Sequence, residues 1–170
     1  MLRSKSFEEL SSQQRTKFVE YHKWKFDAQW FTKLAGDLVF MTRANFGFMG
    51  YYTKEYGITG FERFWAGGSG LTGFNVDGRE LVSLRGYSDF SLAPYTVVAG
   101  RLTQVGAPIH NRYTMELRYP ISLNPSATVY LHTFAEAGKS TLMFREFNPF
   151  EVYRSAGMGV RLFLPMFGLI

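Results

Sequence analysis

The chain has 170 residues, enough for one domain, and no cysteine, so disulfides and thiolate metal sites are excluded. Hydrophobic residues make up 46% and charged residues 19%, which argues against disorder, while 18% aromatics, with Phe 17 and Tyr 10, point to β-structure. A net charge of +5 would suit nucleic acid, but Lys and Arg alternate with apolar positions instead of forming a stripe, so no nucleic acid is expected.

Residues 1–19 are polar around Ser11-Ser12-Gln13-Gln14 and read as the end of a loop, with a helical turn at residues 7–10. Arg3 and Lys5 are not followed by an apolar core segment, so this is no signal peptide. From residue 20 to 34 the pattern becomes strict alternation. Trp24, Phe26, Ala28, Trp30 and Leu34 share one face, and Lys23, Lys25, Asp27, Gln29 and Lys33 the other. Ala35-Gly36-Asp37 predicts a tight turn into a second strand, residues 38–52. There Leu38, Phe40, Ala44, Phe46 and Phe48 oppose Arg43, Asn45 and Gly47. Both strands are far longer than the usual five or six residues and predict a tall hairpin.

Residues 53–111 break the alternation with many glycines and little periodicity. A loop this long without structure counts against a strand assignment unless the loop is functional. Alternation returns at 112–122, where Tyr113, Met115, Leu117, Tyr119 and Ile121 oppose Arg112, Thr114, Glu116 and Arg118. After a turn at Leu123-Asn124-Pro125-Ser126 comes a strand at 127–138. It sets Val129, Leu131, Thr133, Ala135 and Ala137 against Tyr130, His132, Phe134 and Glu136. A loop at 139–152 leads to the strand 153–165, with Ala156, Met158, Val160, Leu162 and Leu164 opposite Ser155, Gly157, Gly159 and Arg161. Met166-Phe167-Gly168 is a short turn, and Leu169-Ile170 begin a further strand.

Short and long connections therefore alternate, as in an outer-membrane barrel with short periplasmic turns and long outer loops. The uncharged face would meet lipid and the charged face would line a wet interior. A soluble ligand-binding barrel also alternates, with its apolar face inward, and is the weaker fit to the 53–111 loop. Trp24, Trp30, Tyr51, Tyr52, Tyr113, Tyr119 and Tyr153, near strand ends, are candidates for interfacial aromatic girdles, although β-propensity alone explains part of that enrichment.

Several motifs fail on context. Gly68-Ser69-Gly70-Leu71-Thr72-Gly73 matches a dinucleotide fingerprint in letters, but a turn follows where a helix is needed. Gly138-Lys139-Ser140 ends like a P-loop whose first glycine would fall on Thr133. Ser69 is no nucleophile elbow, because Leu71 replaces the second glycine. His22, His110 and His132 lack ligand spacing. Glu116 and Glu136 pair two carboxylates on adjacent inner faces, but no pocket or nucleophile that acid–base work would need is evident. No catalytic residue, cofactor or metal is expected, and the protein is not expected to be an enzyme.

One loop segment stands out, Leu84-Arg85-Gly86-Tyr87. Ordering the 53–111 loop costs on the order of several kcal/mol, so something must hold it. Arg offers a planar fork of five donors and keeps its charge, so Arg85 could bridge Glu116 and Glu136 in the interior. Gly86 frees the backbone to turn beside it. The residues alone leave two readings, a pin or one solvated loop arginine among many.

The segments Phe61-Glu62-Arg63-Phe64-Trp65-Ala66-Gly67-Gly68, Leu84-Arg85-Gly86-Tyr87, Glu116-Leu117-Arg118-Tyr119-Pro120 and Phe134-Ala135-Glu136-Ala137-Gly138 occur in this order. Together with Arg154-Ser155-Ala156-Gly157-Met158-Gly159-Val160-Arg161 and Pro165, they resemble the carboxy-terminal barrel of the BamA family of outer-membrane protein assembly factors. The resemblance covers residues 20–170. It implies an all-β fold, part of a 16-stranded antiparallel transmembrane β-barrel holding about five strands, with residues 1–19 ending an extracellular loop. The long extracellular loop, 53–111, would fold into the lumen. There Arg85, Gly86 and Tyr87 would form a structural latch against Glu116 and Glu136, the latter standing where an Asp is common. Leu71-Thr72-Gly73-Phe74 could align to the same motif but lacks the Arg. The resemblance further implies localisation in the cell outer membrane, contact with outer-membrane lipids, unfolded β-barrel clients, and accessory assembly lipoproteins. Clients would pair with the seam between the first and last strands, which lies outside this chain. A TamA-like translocation factor or two-partner secretion pore is the nearest alternative, and a passive channel or soluble barrel a further one.

Overall fold

The computed structural model describes residues 20–52, 58–69, 79–124, 126–164 and 168–169. The expected loop end at 1–19 and the second motif at 71–74 lie outside the described residues, as does the turn at 166–167. The regular structure is almost entirely β. The described residues form ten strands: β1 (His22–Ala35), β2 (Leu38–Gly50), β3 (Phe64–Ala66), β4 (Glu80–Val82), β5 (Tyr95–Val98), β6 (Arg101–Gln104), β7 (Ile109–Asn124), β8 (Ala127–Thr141), β9 (Tyr153–Leu164) and β10 (Gly168–Leu169). The main sheet has the order β1-β2-β7-β8-β9-β10, antiparallel throughout.

The register sorts the side chains as period two demands. Trp24 lies opposite Phe48 and Phe26 opposite Phe46 on the outer face, while Asp27 lies opposite Asn45 and Lys25 opposite Gly47 on the inner face. Outward apolar side chains stay exposed, Trp30 at 72% and Met158 at 82%. The buried apolar core lies instead between the inner face and the loop that crosses it, in Met41, Met49, Phe64, Leu84 and Ala107. A soluble barrel would bury the opposite set, so the burial pattern excludes that reading.

The segment between β2 and β7 is more ordered than its sequence suggests. β3 and β4 pair in parallel, and β5 and β6 form a hairpin closed by Ala99-Gly100. Both turn residues have positive φ, 50° and 78°, as the tight hairpin turn requires. Ala is rare in that conformation, which is why no turn signal announced the hairpin. β7 begins at Ile109, three residues before the alternation becomes visible, because Ile109, His110 and Asn111 are all buried and the two faces no longer differ.

Paired backbone bonds seat the loop on the sheet. Phe64 and Ala107 exchange N–H···O bonds of 2.9 and 2.8 Å, and Met49 N donates to the Pro108 carbonyl at 2.7 Å. The Phe64 ring is fully buried and meets the His110 ring edge-on at 4.2 Å between centroids. Gly68 N donates to the Tyr87 carbonyl and Gly67 N to that of Val82, which joins the two arms of the loop. Truncating a buried Phe costs about 3 kcal/mol or more. Phe64→Ala is accordingly expected to loosen the loop while sparing the sheet. Hydrogen exchange should show faster amides at residues 64–66 and 107 with those of β7–β8 below Thr114 unchanged.

Candidate functional site

The inner face carries polar residues in rows set by strand register. Arg43, Thr114, Glu136 and Ser155 are successive partners across β2, β7, β8 and β9; Met41, Glu116, Phe134 and Gly157 form the next row. Each glutamate therefore has same-face neighbours two residues away, Arg112 diagonal to Glu136 and Arg118 beside Glu116, within reach of long side chains.

The loop delivers Arg85 onto these rows by a tight turn. Tyr87 N donates to the Leu84 carbonyl, and Gly86 between them has φ +89°, the left-handed region that the third residue of a type II turn occupies. Gly86 also lies against β9, where an added Cβ would meet the Ser155 Cβ at 3.3 Å. Leu84 is buried beneath the turn, bridged to Gly68.

Arg85 meets both predicted glutamates, unequally. Glu136 accepts two hydrogen bonds from it, from the backbone N–H at 2.9 Å and from Nε at 2.9 Å, and Nη2 lies 2.7 Å away in an ion pair. Glu116 accepts only Nη1, at 3.4 Å. The guanidinium also stacks on Phe134, 3.7 Å from the ring centre, and that ring occupies the space over Gly157, where an added Cβ would come within 2.7 Å. Tyr87 reaches β9, its hydroxyl donating to the Arg154 carbonyl at 2.9 Å. Arg85, Gly86, Tyr87, Glu116 and Glu136 thus lie together, spanning three strands.

The sequence reading missed the rest of the cluster. Arg112 Nη2 donates to Glu136 at 2.7 Å and its Nη1 to Ser83 at 2.8 Å, a second tie to the loop. Arg118 and Arg161 both reach Glu116, at 2.8 and 3.2 Å, and Thr114 lies 3.4 Å from Glu136. The glutamates are 1% and 2% exposed, yet four arginines surround them, so burial leaves neither carboxylate uncompensated. The alternation Arg112, Thr114, Glu116, Arg118 carried that signal. A cavity of about 400 Å³ opens beside Glu116, contrary to the expectation of no pocket, and arginines including Arg43, Arg112, Arg118 and Arg161 line it. Its walls are a charge-pairing array.

A second set of ion pairs fastens the outer arm of the loop to β1. Lys23 donates to the Glu62 carbonyl at 2.7 Å and bridges Glu80, which also takes Lys25 at 3.0 Å. Burial would raise the Glu80 pKa, but the hydrogen bonds from Lys23 and Lys25 hold it below its ordinary 4.5.

A tall antiparallel sheet with an apolar outer face, a charged inner face and a loop tied across that inner face defines a piece of an outer-membrane β-barrel. The Omp85 superfamily domain matches residues 5–170, and the chain belongs to that superfamily. Among curated proteins none matches it. Membership associates the chain with protein insertion or translocation at the outer membrane, work done without enzymatic chemistry.

A carboxylate with a depressed folded pKa stabilises above its ordinary pKa and loses that contribution as pH falls through the depressed value. Acidification from 4.5 downward is therefore expected to release the outer arm of the loop from β1. Limited proteolysis across pH 6 to 3 should show increasing cleavage within residues 58–69 and 79–82, and Glu80→Gln should give the low-pH pattern already at pH 6.

Proposed function

We propose that the chain is the part of a BamA-like insertase barrel that braces it, within a sixteen-stranded domain that folds client β-barrels into the outer membrane. On this reading residues 1–19 end an extracellular loop and residues 20–170 supply about five strands of the barrel with the lumenal loop between two of them. Unfolded β-barrel proteins are the clients, accessory lipoproteins and membrane lipids the other partners, and client pairing falls to seam strands outside this chain.

The observation that supports this reading is the seating of Arg85 between Glu136 and Glu116, with Phe134 beneath it. Arg85 is the one arginine of the four that sits on the loop, so it couples loop to barrel while the strand arginines keep the carboxylates compensated. A passive channel would use such a loop to constrict the lumen, whereas here Arg85 and Tyr87 tie the loop to three strands of the wall.

Arg85→Ala removes a guanidinium with several charge-assisted bonds and leaves Glu136 with Arg112 and Glu116 with Arg118 and Arg161. The expected cost is about 3 kcal/mol of loop docking, less than stranding a buried charge would cost. In the full barrel this variant should lose heat-modifiable gel mobility or client insertion, and Arg85→Lys should rescue only in part, because an ammonium cannot reproduce the fork or the stacking. Arg85→Ala equal to wild type in both assays would sink the brace. Intact client insertion with failed export of a secreted substrate would instead move the reading to a translocation pore.

A further inference from the structure

The outer face of β8 carries small side chains where its neighbours carry large ones. Ala137, Ala135 and Thr133 lie along it, with Tyr113, Met115 and Leu117 as their partners on β7. Their partners on β9 are Arg154, Ala156 and Met158. This size difference opens a trough of about 480 Å³ over the alanines, continued toward the short-turn end by a second apolar space of about 400 Å³ beside Thr133 and Met158. From Ala137 to Leu131 it runs roughly 20 Å at about 3.3 Å per residue.

A single cation stands at its long-loop end. Arg154 is the second residue of β9 and sits directly beside Ala137, across from Tyr113. Its side chain faces outward, exposed, and makes no hydrogen bond or ion pair with any described residue. The nearby Glu151 is already engaged by Lys139 at 2.7 Å. An unpaired guanidinium on the lipid-facing side, at the outer end of an apolar trough, has the chemistry of a headgroup contact: its fork matches a phosphate, and the trough below matches a hydrocarbon chain.

We propose that the trough along β8, headed by Arg154, binds a phosphate-bearing, acylated lipid of the outer leaflet. The guanidinium holds the phosphate, and one acyl chain lies over Ala137, Ala135 and Thr133. The site lies on the face opposite Arg85, and the brace touches Arg154 only at its backbone carbonyl, which the side-chain substitutions leave in place.

The test is native mass spectrometry of the detergent-solubilised barrel that contains this chain. The probe is a diphosphorylated, multiply acylated glucosamine disaccharide, compared with its dephosphorylated form and with inorganic phosphate. Wild type should retain the phosphorylated lipid, and Arg154→Gln should weaken retention roughly tenfold, the loss of one charge-assisted contact. Ala135→Phe fills the trough without changing charge and should weaken retention to a similar degree, while Arg154→Lys keeps part of it. Heat-modifiable mobility verifies that each variant is folded. Equal retention by Arg154→Gln, unchanged retention by Ala135→Phe, or displacement of the lipid by inorganic phosphate alone each overturns the proposal.

Discussion

The contact between Arg85 and Glu136 is the constraint on which the arrangement of this chain turns. The sheet presents apolar side chains outward, to lipid, so it has no interior of its own to collapse. What core exists is built from Phe64, Leu84, Ala107 and Met49, and these meet only when the loop lies on the inner face. The loop is long and much of its backbone is ordered by its own small pairings, β3 with β4 and β5 with β6. Those pairings do not decide where it sits. Placement comes from directed bonds between loop and strands: Arg85 to Glu136 and Glu116, Arg112 to Ser83, Tyr87 to the Arg154 carbonyl, Met49 to the Pro108 carbonyl, and Lys23 and Lys25 to Glu80.

The long strands were legible because lipid on one side and water on the other enforce alternation over many residues. Lys25, Asp27 and Gln29 against Phe26, Ala28 and Trp30 can be sorted by eye, and the observed ends of β1, β2, β8 and β9 fall close to the expected ones. That signal disappears where an element is covered on both faces. At Ile109, His110 and Asn111 nothing in the chain distinguishes in from out. The same limit hides β3, whose partner β4 is distant in sequence and whose pairing is parallel. The β5–β6 hairpin fails to announce itself for a different reason, since Ala99 adopts a conformation usually left to Asn, Asp or Gly.

For the site, residue identity was easier to read than arrangement. Arg85, Glu116 and Glu136 could be paired from chemistry and face, but not their inequality. That inequality follows from register. Glu136 shares its row with Thr114, and the turn at Gly86 sets the Arg85 backbone N–H directly over it; Glu116 lies one row away, where only the tip of the guanidinium arrives. Arg112, Arg118 and Arg161 went unassigned because an inward arginine on a wet face has an ordinary explanation in solvation. Only the geometry shows two carboxylates shared among four guanidinium groups.

That excess of cations has a consequence for the proposed brace. If Arg85 were the sole partner of each glutamate, withdrawing the loop would strand two buried charges, and the loop would be held as firmly as a core element. Instead Arg112 stays with Glu136, and Arg118 and Arg161 stay with Glu116, all from the strands themselves. Both carboxylates therefore have strand partners that do not depend on the loop. Removal forfeits only the bonds that Arg85 makes. A socket whose other charges pair within the strands gives specific placement at a moderate free energy. Such a brace can hold a barrel in shape and still yield when the barrel has to change it.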